Sequence, residues 1–265
     1  MPALLQALPK ARDKSANIAT VAKYARIAAS VGAEFLCCPE LFLTGYNLGA
    51  DLRDLAEPLD GPSVERLRSI ARVEGVGLIV GLPERDGART YNSAVAIDAD
   101  GAVVGVHRKI QLFGEVEPQI FTPGENLAVV RMGRRRIGLA ICYDIEFPEI
   151  SRGLARAGAE IICTPTANMA PYVEVTTTLV RARALENGVA VVYANMAGED
   201  GDLEFIGSSA IVGFDGMDAA RAGCRGERFL HAAADEILAP AADHPLRSTQ
   251  LRDLRRGALA ARREG

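Results

Sequence analysis

The sequence contains no tryptophan, and aromatic residues make up only 5% of its 265 positions. Proteins that bind single-stranded nucleic acid stack bases on aromatic side chains, so this kind of binding is not expected. The 30 basic and 34 acidic residues give a net charge of −4, whereas a nucleic-acid-binding surface is strongly basic. No run of about 18 apolar residues predicts a transmembrane helix. We therefore expect neither a nucleic-acid partner nor a membrane partner.

Cysteine and histidine are also scarce. The five cysteines are odd in number and include no Cys-x-x-Cys pair, which argues against a disulfide framework or a zinc knuckle. The three histidines are not spaced four residues apart, and no His-Glu-x-x-His motif is present, so we expect no metal and no cofactor. Residues 1–9 lack the basic region and the long apolar stretch of a signal peptide. The sequence therefore predicts a cytoplasmic protein.

Strand-like and helix-like patterns alternate along most of the chain. Apolar residues make up 49% of the sequence and charged residues 24%, a balance that is typical of a globular protein with a large core. We expect a single α/β domain over residues 1–265, in which residues 217–265 form a C-terminal tail that packs on the core or on a partner subunit. The predicted strands are 4–8, 34–38, 76–82, 91–97, 102–106, 136–141, 160–164, 189–194 and 205–212. The predicted helices are 17–31, capped by Asn17, a helix that begins at Ser63, 149–157 and 173–187.

An internal repeat links the two halves of the chain. Residues 31–40 (VGAEFLCCPE) match residues 157–166 (AGAEIICTPT), and residues 75–81 resemble residues 188–194. Each half then has the order helix, strand, helix, strand, which favours two similar halves that stack sheet on sheet. Apolar runs without alternation, such as residues 78–80, indicate strands that are buried on both faces. The alternative explanation of the repeat is that buried strands of α/β proteins simply have similar compositions.

Three polar residues lie where predicted strands end. Glu40 follows strand 34–38, Lys109 follows strand 102–106 and Cys142 follows strand 136–141. Reactive groups of α/β proteins collect at the carboxyl ends of strands, so we expect these three side chains to meet. A thiol, a carboxylate and an ammonium together supply a nucleophile, a base and a partner for an oxyanion. Taken singly, each has a plainer interpretation as a small core residue, a loop acid or a surface lysine.

Three segments also resemble the signature segments of the carbon–nitrogen hydrolase (nitrilase) superfamily. They are residues 38–46 (CPELFLTGY), 107–115 (HRKIQLFGE) and 141–149 (ICYDIEFPE), and the resemblance extends over residues 15–216. It implies a four-layer αββα sandwich of two mixed sheets, a Glu-Lys-Cys triad and a homodimer or higher homo-oligomer.

The resemblance also implies a role for each matching residue. Glu40 corresponds to the general base, Lys109 to the oxyanion stabiliser and Cys142 to the nucleophile. A second glutamate of the family matches Glu117 best, with Glu115 as the alternative. The backbone N–H of Tyr143 would help to bind the oxyanion. Tyr46, Tyr143 and Asn168 are the expected substrate-binding residues.

The substrate implied by the resemblance is a small aliphatic amide. Residues 41–47, 142–149, 165–172 and 181–187 most resemble 5-aminopentanamidases, which release ammonia from 5-aminopentanamide. A cationic substrate predicts an acidic pocket wall, for which Glu146 and Glu174 are candidates. Alternative functions are those of a nitrilase, another omega-amidase and an N-carbamoyl amidohydrolase. A hydrolase with a Cys–His pair would instead need His107 beside the nucleophile.

Overall fold

A computed structural model describes residues 1–238 and 248–253 of the chain. The strands in chain order are β1 (Pro2–Gln6), β2 (Phe35–Cys37), β3 (Gly77–Asp86), β4 (Arg89–Ile97), β5 (Val103–Arg108), β6 (Ala128–Met132), β7 (Arg135–Leu139), β8 (Ile161–Thr166), β9 (Ala190–Asn195), β10 (Ala197–Asp200), β11 (Leu203–Ile206), β12 (Ala210–Val212), β13 (Asp218–Arg221) and β14 (Arg228–His231). The helices are α1 (Lys14–Ser30), α2 (Asp51–Leu55), α3 (Pro62–Glu74), α4 (Glu117–Ile120), α5 (Pro148–Arg156), α6 (Val180–Asn187), α7 (Ala234–Ile237) and α8 (Gln250–Asp253). A 3₁₀ turn covers Cys142–Glu146, and a π-helical turn at Val175–Leu179 leads into α6.

Two six-stranded mixed sheets form the centre of the fold. The first has the order β14-β1-β2-β3-β4-β5 and the second β13-β12-β9-β8-β7-β6, while β10 and β11 make a separate hairpin. In each sheet three parallel strands in the middle, β1-β2-β3 or β7-β8-β9, are flanked by antiparallel strands. The repeat in the sequence therefore has a structural counterpart, because the two halves build sheets of the same design.

The side chains of each central strand alternate between two apolar layers. Phe35, Cys37 and Ile79 point into the layer between the sheets, where they meet residues of the second sheet such as Ile137 and Cys163. The intervening residues of the first sheet pack against α1 and α3, and those of the second sheet pack against α5 and α6. The predicted four-layer αββα sandwich is confirmed. Burial on both faces explains why these strands are apolar throughout.

Several boundaries differ from the sequence-based prediction. The first strand is β1, two residues earlier than predicted, and the predicted strand 205–212 is two strands, β11 and β12. Gly207 and Ser208 both have positive φ, so an extended chain cannot run through them. Asp13 rather than Asn17 caps α1, since its side chain accepts the N–H of Ala16.

The first part of the predicted tail belongs to the sheets. Strand β13 pairs with β12, and β14 pairs antiparallel with β1, so that Leu230 lies opposite Leu4. Residues 239–247 and 254–265, which the prediction also assigned to the tail, lie outside the described residues. Within residues 1–238 and 248–253, no helix has the length and hydrophobicity needed to cross a bilayer.

Candidate active site

The ends of strands from both sheets deliver the three predicted catalytic side chains to one region. Glu40 lies three residues beyond β2, Lys109 directly follows β5, and Cys142 opens the turn after β7. The backbone N–H of Glu40 donates a hydrogen bond of 3.4 Å to the carbonyl of Thr166, at the end of β8. The site therefore lies where the carboxyl ends of the two sheets meet, as expected for an α/β fold.

Lys109 is the centre of a buried ionic cluster. Its side chain is 1% exposed, and its Nζ lies 2.8 Å from Oε1 of Glu40 and 2.7 Å from Oε1 of Glu117. Asn92, on β4, donates a further hydrogen bond of 2.7 Å to Oε1 of Glu40. An ammonium out of contact with water needs such partners, because an unpaired buried charge is very costly.

Glu117, rather than Glu115, is the second acid at the lysine. The hydroxyl of Tyr46 donates to its Oε1 at 2.7 Å, and the N–H of Phe113 donates to its Oε2 at 2.8 Å. Glu115 is exposed and makes no hydrogen bond or ion pair within the described part of the chain. Of the two acids that the sequence left as alternatives, Glu117 is therefore the one that is buried, at 4% exposure, and in contact with Lys109.

The thiol of Cys142 is held in its protonated form. Burial raises its pKa above the usual range, the negative charge of Glu40 adds to this, and Lys109 opposes it only partly. The thiol also contacts the side chain of Thr166 and the backbone of Ala167. Such a thiol needs a base to become nucleophilic. Cys142 has φ +45°, a left-handed conformation that non-glycine residues rarely adopt and that is common at functional sites.

Glu40 has the properties of that base. Burial raises the pKa of its carboxyl, although Lys109 and Asn92 act in the opposite direction. Its Oε2 atom is buried and has no hydrogen-bond partner within residues 1–238 and 248–253, while Oε1 is occupied by Lys109 and Asn92. Burial alone would lower the pKa of Lys109, but the charges of Glu40 and Glu117 outweigh it and raise that pKa, so the ammonium stays charged.

His107 does not support the Cys–His alternative. Its Nε2 lies 2.8 Å from Oδ2 of Asp144, and both side chains are fully buried. In the described part of the chain no group of three His, Cys, Asp or Glu side chains is placed to hold a metal ion. Asn92, Asp144 and Thr166 are contacts of the site that the sequence analysis did not single out. Asp144 lies in the family-like segment 141–149, but the sequence of that segment does not predict which groups its side chain contacts.

A cavity of about 510 Å³ adjoins the ionic cluster. Its walls are mainly apolar, and Tyr46 and Glu117 connect it to Lys109. Two acidic residues, Glu115 and Asp202, also line it, and none of its lining residues is lysine or arginine. The apolar lining residues are Leu41, Leu52, Phe113, Val116, Ile120, Phe121, Met169 and Leu203.

The predicted substrate-binding residues do not all reach this cavity. Tyr46 lines it, and the ring of Tyr143 packs edge-on against Phe113 with the centroids 5.3 Å apart. Asn168, like Tyr143, is not among the residues that line this cavity: its Nδ2 donates to the carbonyl of Tyr172 at 3.0 Å.

The two acids that were candidates for an acidic pocket wall do not line this cavity, although burial raises the pKa of Glu146 and the nearby charge of Lys109 partly opposes that rise. Glu146 is half-buried and Glu174 is exposed, and neither belongs to the cavity. The acids that line it beside Glu117 are Glu115, at the end of the family-like segment 107–115, and Asp202, in the β10–β11 hairpin. Because these two residues are far apart in the sequence, no local pattern predicts that both line the same cavity.

Comparisons with known proteins show the family to which the chain belongs. The carbon-nitrogen hydrolase family model matches residues 3–239. A hydrolase from the pqqF 5' region of Pseudomonas protegens is 42% identical over 83% of this chain and 78% of its own length. An (R)-stereoselective amidase of Pseudomonas sp. is 40% identical over 68% of this chain and 65% of its own length.

A solved structure shows the same fold with a modified cysteine. It is an amidase from Nesterenkonia sp. AN1, in a mutant form whose active-site cysteine carries the product of Michael addition of acrylamide. It has a TM-score of 0.81 and 33% identity, covering 97% of this chain and 96% of that one. The chain described here therefore belongs to the carbon–nitrogen hydrolase family and is an amidase of the nitrilase superfamily.

Proposed function

We propose that this amidase hydrolyses small aliphatic amides to a carboxylate and ammonia through a thioester on Cys142. The observation that carries the proposal is the burial of the Lys109 ammonium between Glu40 and Glu117, near a thiol whose pKa is raised by burial and by the charge of Glu40. A structural role alone gives no reason to place a charge there, because replacing a buried ion pair by apolar groups is often neutral or stabilising.

The proposed reaction has two halves with the same base. The free Oε2 of Glu40 takes the thiol proton while the sulfur of Cys142 attacks the amide carbon. The oxyanion is met by Lys109 and the backbone N–H of Tyr143, and loss of such a donor typically costs about 3–4 kcal/mol of barrier. The C–N bond breaks as Glu40 returns the proton to the leaving nitrogen, and ammonia departs.

Water completes the cycle. Glu40 removes a proton from a water molecule that attacks the thioester carbon, and the C–S bond breaks to release the carboxylic acid. The proton goes back to the sulfur of Cys142, which restores the starting thiol. Glu117 holds Lys109 in place throughout, since it contacts the ammonium and is itself fixed by Tyr46 and the N–H of Phe113.

The test of this mechanism is ammonia release from short amides by matched cysteine variants. Cys142→Ala should abolish turnover, whereas Cys224→Ser, which changes an exposed cysteine outside the site, should leave it unchanged. Glu40→Gln should slow both the acylation and the deacylation steps. Turnover by Cys142→Ala at the rate of the unaltered enzyme would rule out the thioester route.

We propose 5-aminopentanamide as a substrate. The apolar cavity suits a short methylene chain, and Glu115 and Asp202 offer negative charge to a cationic far end. An amide with a carboxylate at its far end would find no basic side chain among the residues that line the cavity, which disfavours an N-carbamoyl amino acid. Glu115 and Asp202 take the place of the predicted Glu146 and Glu174.

A substrate panel separates this proposal from its alternatives. We expect kcat/KM to be higher for 5-aminopentanamide than for hexanamide, which has nearly the same length and no charge. Matched amides and nitriles, such as pentanamide and pentanenitrile, test the nitrilase alternative through the acid and ammonia that they release. A preference for amides that carry a terminal carboxylate would favour the omega-amidase alternative.

We also propose that the enzyme is a cytoplasmic homodimer or higher homo-oligomer. Leu185 at the end of α6 and Met217 are large apolar side chains that are 44% and 68% exposed, and Gly216 lies against Leu185. Exposed apolar side chains that lie together are typical of a contact surface. Light scattering on the purified enzyme should give a mass above that of one chain, and Met217→Asp should lower it.

A further inference from the structure

Asp144 connects the two segments that carry the lysine and the cysteine. Its side chain is fully buried, accepts three backbone N–H groups and makes a fourth polar contact with His107. Oδ1 accepts the N–H groups of Ile110 and Gln111 at 3.2 Å and 2.8 Å, and Oδ2 accepts the N–H of Ile141 at 3.0 Å. The fourth contact, at 2.8 Å, joins Oδ2 to Nε2 of His107.

Two of the three backbone contacts belong to residues that are direct neighbours of a reacting residue. Ile110 follows Lys109 directly, and Ile141 directly precedes Cys142. The backbone N–H of Asp144 also donates to the carbonyl of Ile141 at 3.0 Å, which closes the turn in which Cys142 has its positive φ. The two segments belong to different sheets, so this carboxylate is a direct bridge between the lysine side and the cysteine side of the site.

We propose that Asp144 is a positioning residue, which fixes the distance between the Lys109 ammonium and the Cys142 sulfur. This inference rests on the proposed function, in which those two groups act on the same carbonyl. A misplacement of about 1 Å between reacting groups costs on the order of 100-fold in rate. A conformation as strained as that of Cys142 persists only where the surrounding structure over-determines it, and Asp144 supplies that restraint.

The donor pattern favours a carboxylate at this position. Three of the four contacts of Asp144 are backbone N–H donors, and an ionised carboxylate can accept all three. Asparagine has nearly the same volume, but its NH₂ group would face at least one of these donors without accepting from it. Nε2 of His107 completes the set when the ring is in the tautomer that donates from Nε2, and its Nδ1 has no hydrogen-bond partner in the described residues.

The decisive variant is Asp144→Asn, measured per active site. We expect kcat to fall about 10- to 100-fold while KM for the amide stays within about threefold, because alignment and not binding is lost. In a Cys224→Ser background, which removes the exposed thiol, the rate of alkylation of Cys142 by iodoacetamide should change by less than about threefold, because alkylation creates no oxyanion. The stoichiometry of alkylation then counts the competent sites. An unchanged kcat per site, or an equal loss in kcat and in alkylation, would overturn the proposal.

A matched control and a second pair of variants secure the test. Glu160→Gln changes another carboxylate that accepts a backbone N–H, that of Arg136 at 2.9 Å, at the opposite end of β7, and should leave kcat unchanged. If Asp144→Asn does not fold, His107→Gln and His107→Leu replace it, since only glutamine still donates to Asp144. We expect the leucine variant to lose kcat and the glutamine variant to retain it, and equal values would overturn the proposal.

The Cys142→Ala variant distinguishes failure of the positioning role from failure of the proposed function. Inactive Cys142→Ala together with a fully active Asp144→Asn would refute the positioning role and leave the proposed function intact. Turnover by Cys142→Ala would refute the proposed function, and with it the alignment that Asp144 is proposed to set.

Discussion

Replacement of Lys109 by methionine tests the energetics of the buried ionic cluster. Methionine keeps an unbranched apolar stem, so the change removes the charge with little change in volume. It leaves the carboxylates of Glu40 and Glu117 buried without their cation. Breaking a buried ion pair by removal of one partner costs about 3–5 kcal/mol, and we expect a loss of this size in the free energy of unfolding at neutral pH.

The loss of stability should depend on pH in a defined direction. The pKa of Glu40 is already raised by burial, and without Lys109 it rises further. The folded variant then holds a proton that the unfolded chain has released, so its stability falls as pH rises through this window. The difference from the unaltered enzyme should therefore be larger at pH 8 than at pH 5.

Urea unfolding followed by far-UV circular dichroism measures both effects, since the chain has no tryptophan for fluorescence. Lys14→Met is the matched control, because Lys14 forms a half-buried ion pair with Glu57 near the surface and its loss should cost about 0–1 kcal/mol. In ammonia release, Lys109→Met should lose about 100- to 1,000-fold in kcat. A cost in stability below about 1 kcal/mol that is the same at pH 5 and pH 8 would show that Lys109 does not compensate the buried charges of Glu40 and Glu117.

Further predictions concern the base, the cavity and the backbone beside the site. The acid limb of the pH profile of kcat/KM should have its midpoint above 4.5, the usual pKa of glutamate. Glu40 must be ionised to accept the thiol proton, and burial raises its pKa. A midpoint at or below 4.5 would contradict the assignment of Glu40 as the base. Glu115→Gln should raise KM for 5-aminopentanamide by up to about fivefold without affecting hexanamide, and an equal effect on both would contradict a charge contact. Gly81→Ala should cost about 1–3 kcal/mol in urea unfolding and lower kcat, since a Cβ there would lie 2.5 Å from the N atom of Leu41, whereas Gly223→Ala, which meets no atom within 4 Å, should be neutral.

The sequence predicted those parts of the site that lie at strand ends. Glu40, Lys109 and Cys142 each follow a run of apolar residues, and the topology of α/β sheets then brings them together. Asn92 was missed because it sits inside β4, where its amide reaches Glu40 only through the pairing of neighbouring strands. Such contacts depend on register, which the local pattern does not reveal.

The parts of the fold that were missed are held by distant partners. Strands β13 and β14 are short, and their few apolar residues give little local signal. They exist because β12 and β1 offer free edges for backbone hydrogen bonds. The hairpin of β10 and β11 places Asp202 and Leu203 at the cavity, and nothing in its own sequence indicates that position.

The pairing of β14 with β1 joins two strands that are synthesised at very different times. Strand β1 is synthesised before the other strands described, but the neighbour that covers its outer edge ends at His231. Pairings so distant in sequence form slowly, because a long loop must close before any contact is gained. During synthesis, an edge with exposed N–H and C=O groups stays available for unwanted association until residues 228–231 have emerged. A release of the nascent chain before residue 228 should therefore yield a product that aggregates, even though it carries Glu40, Lys109 and Cys142.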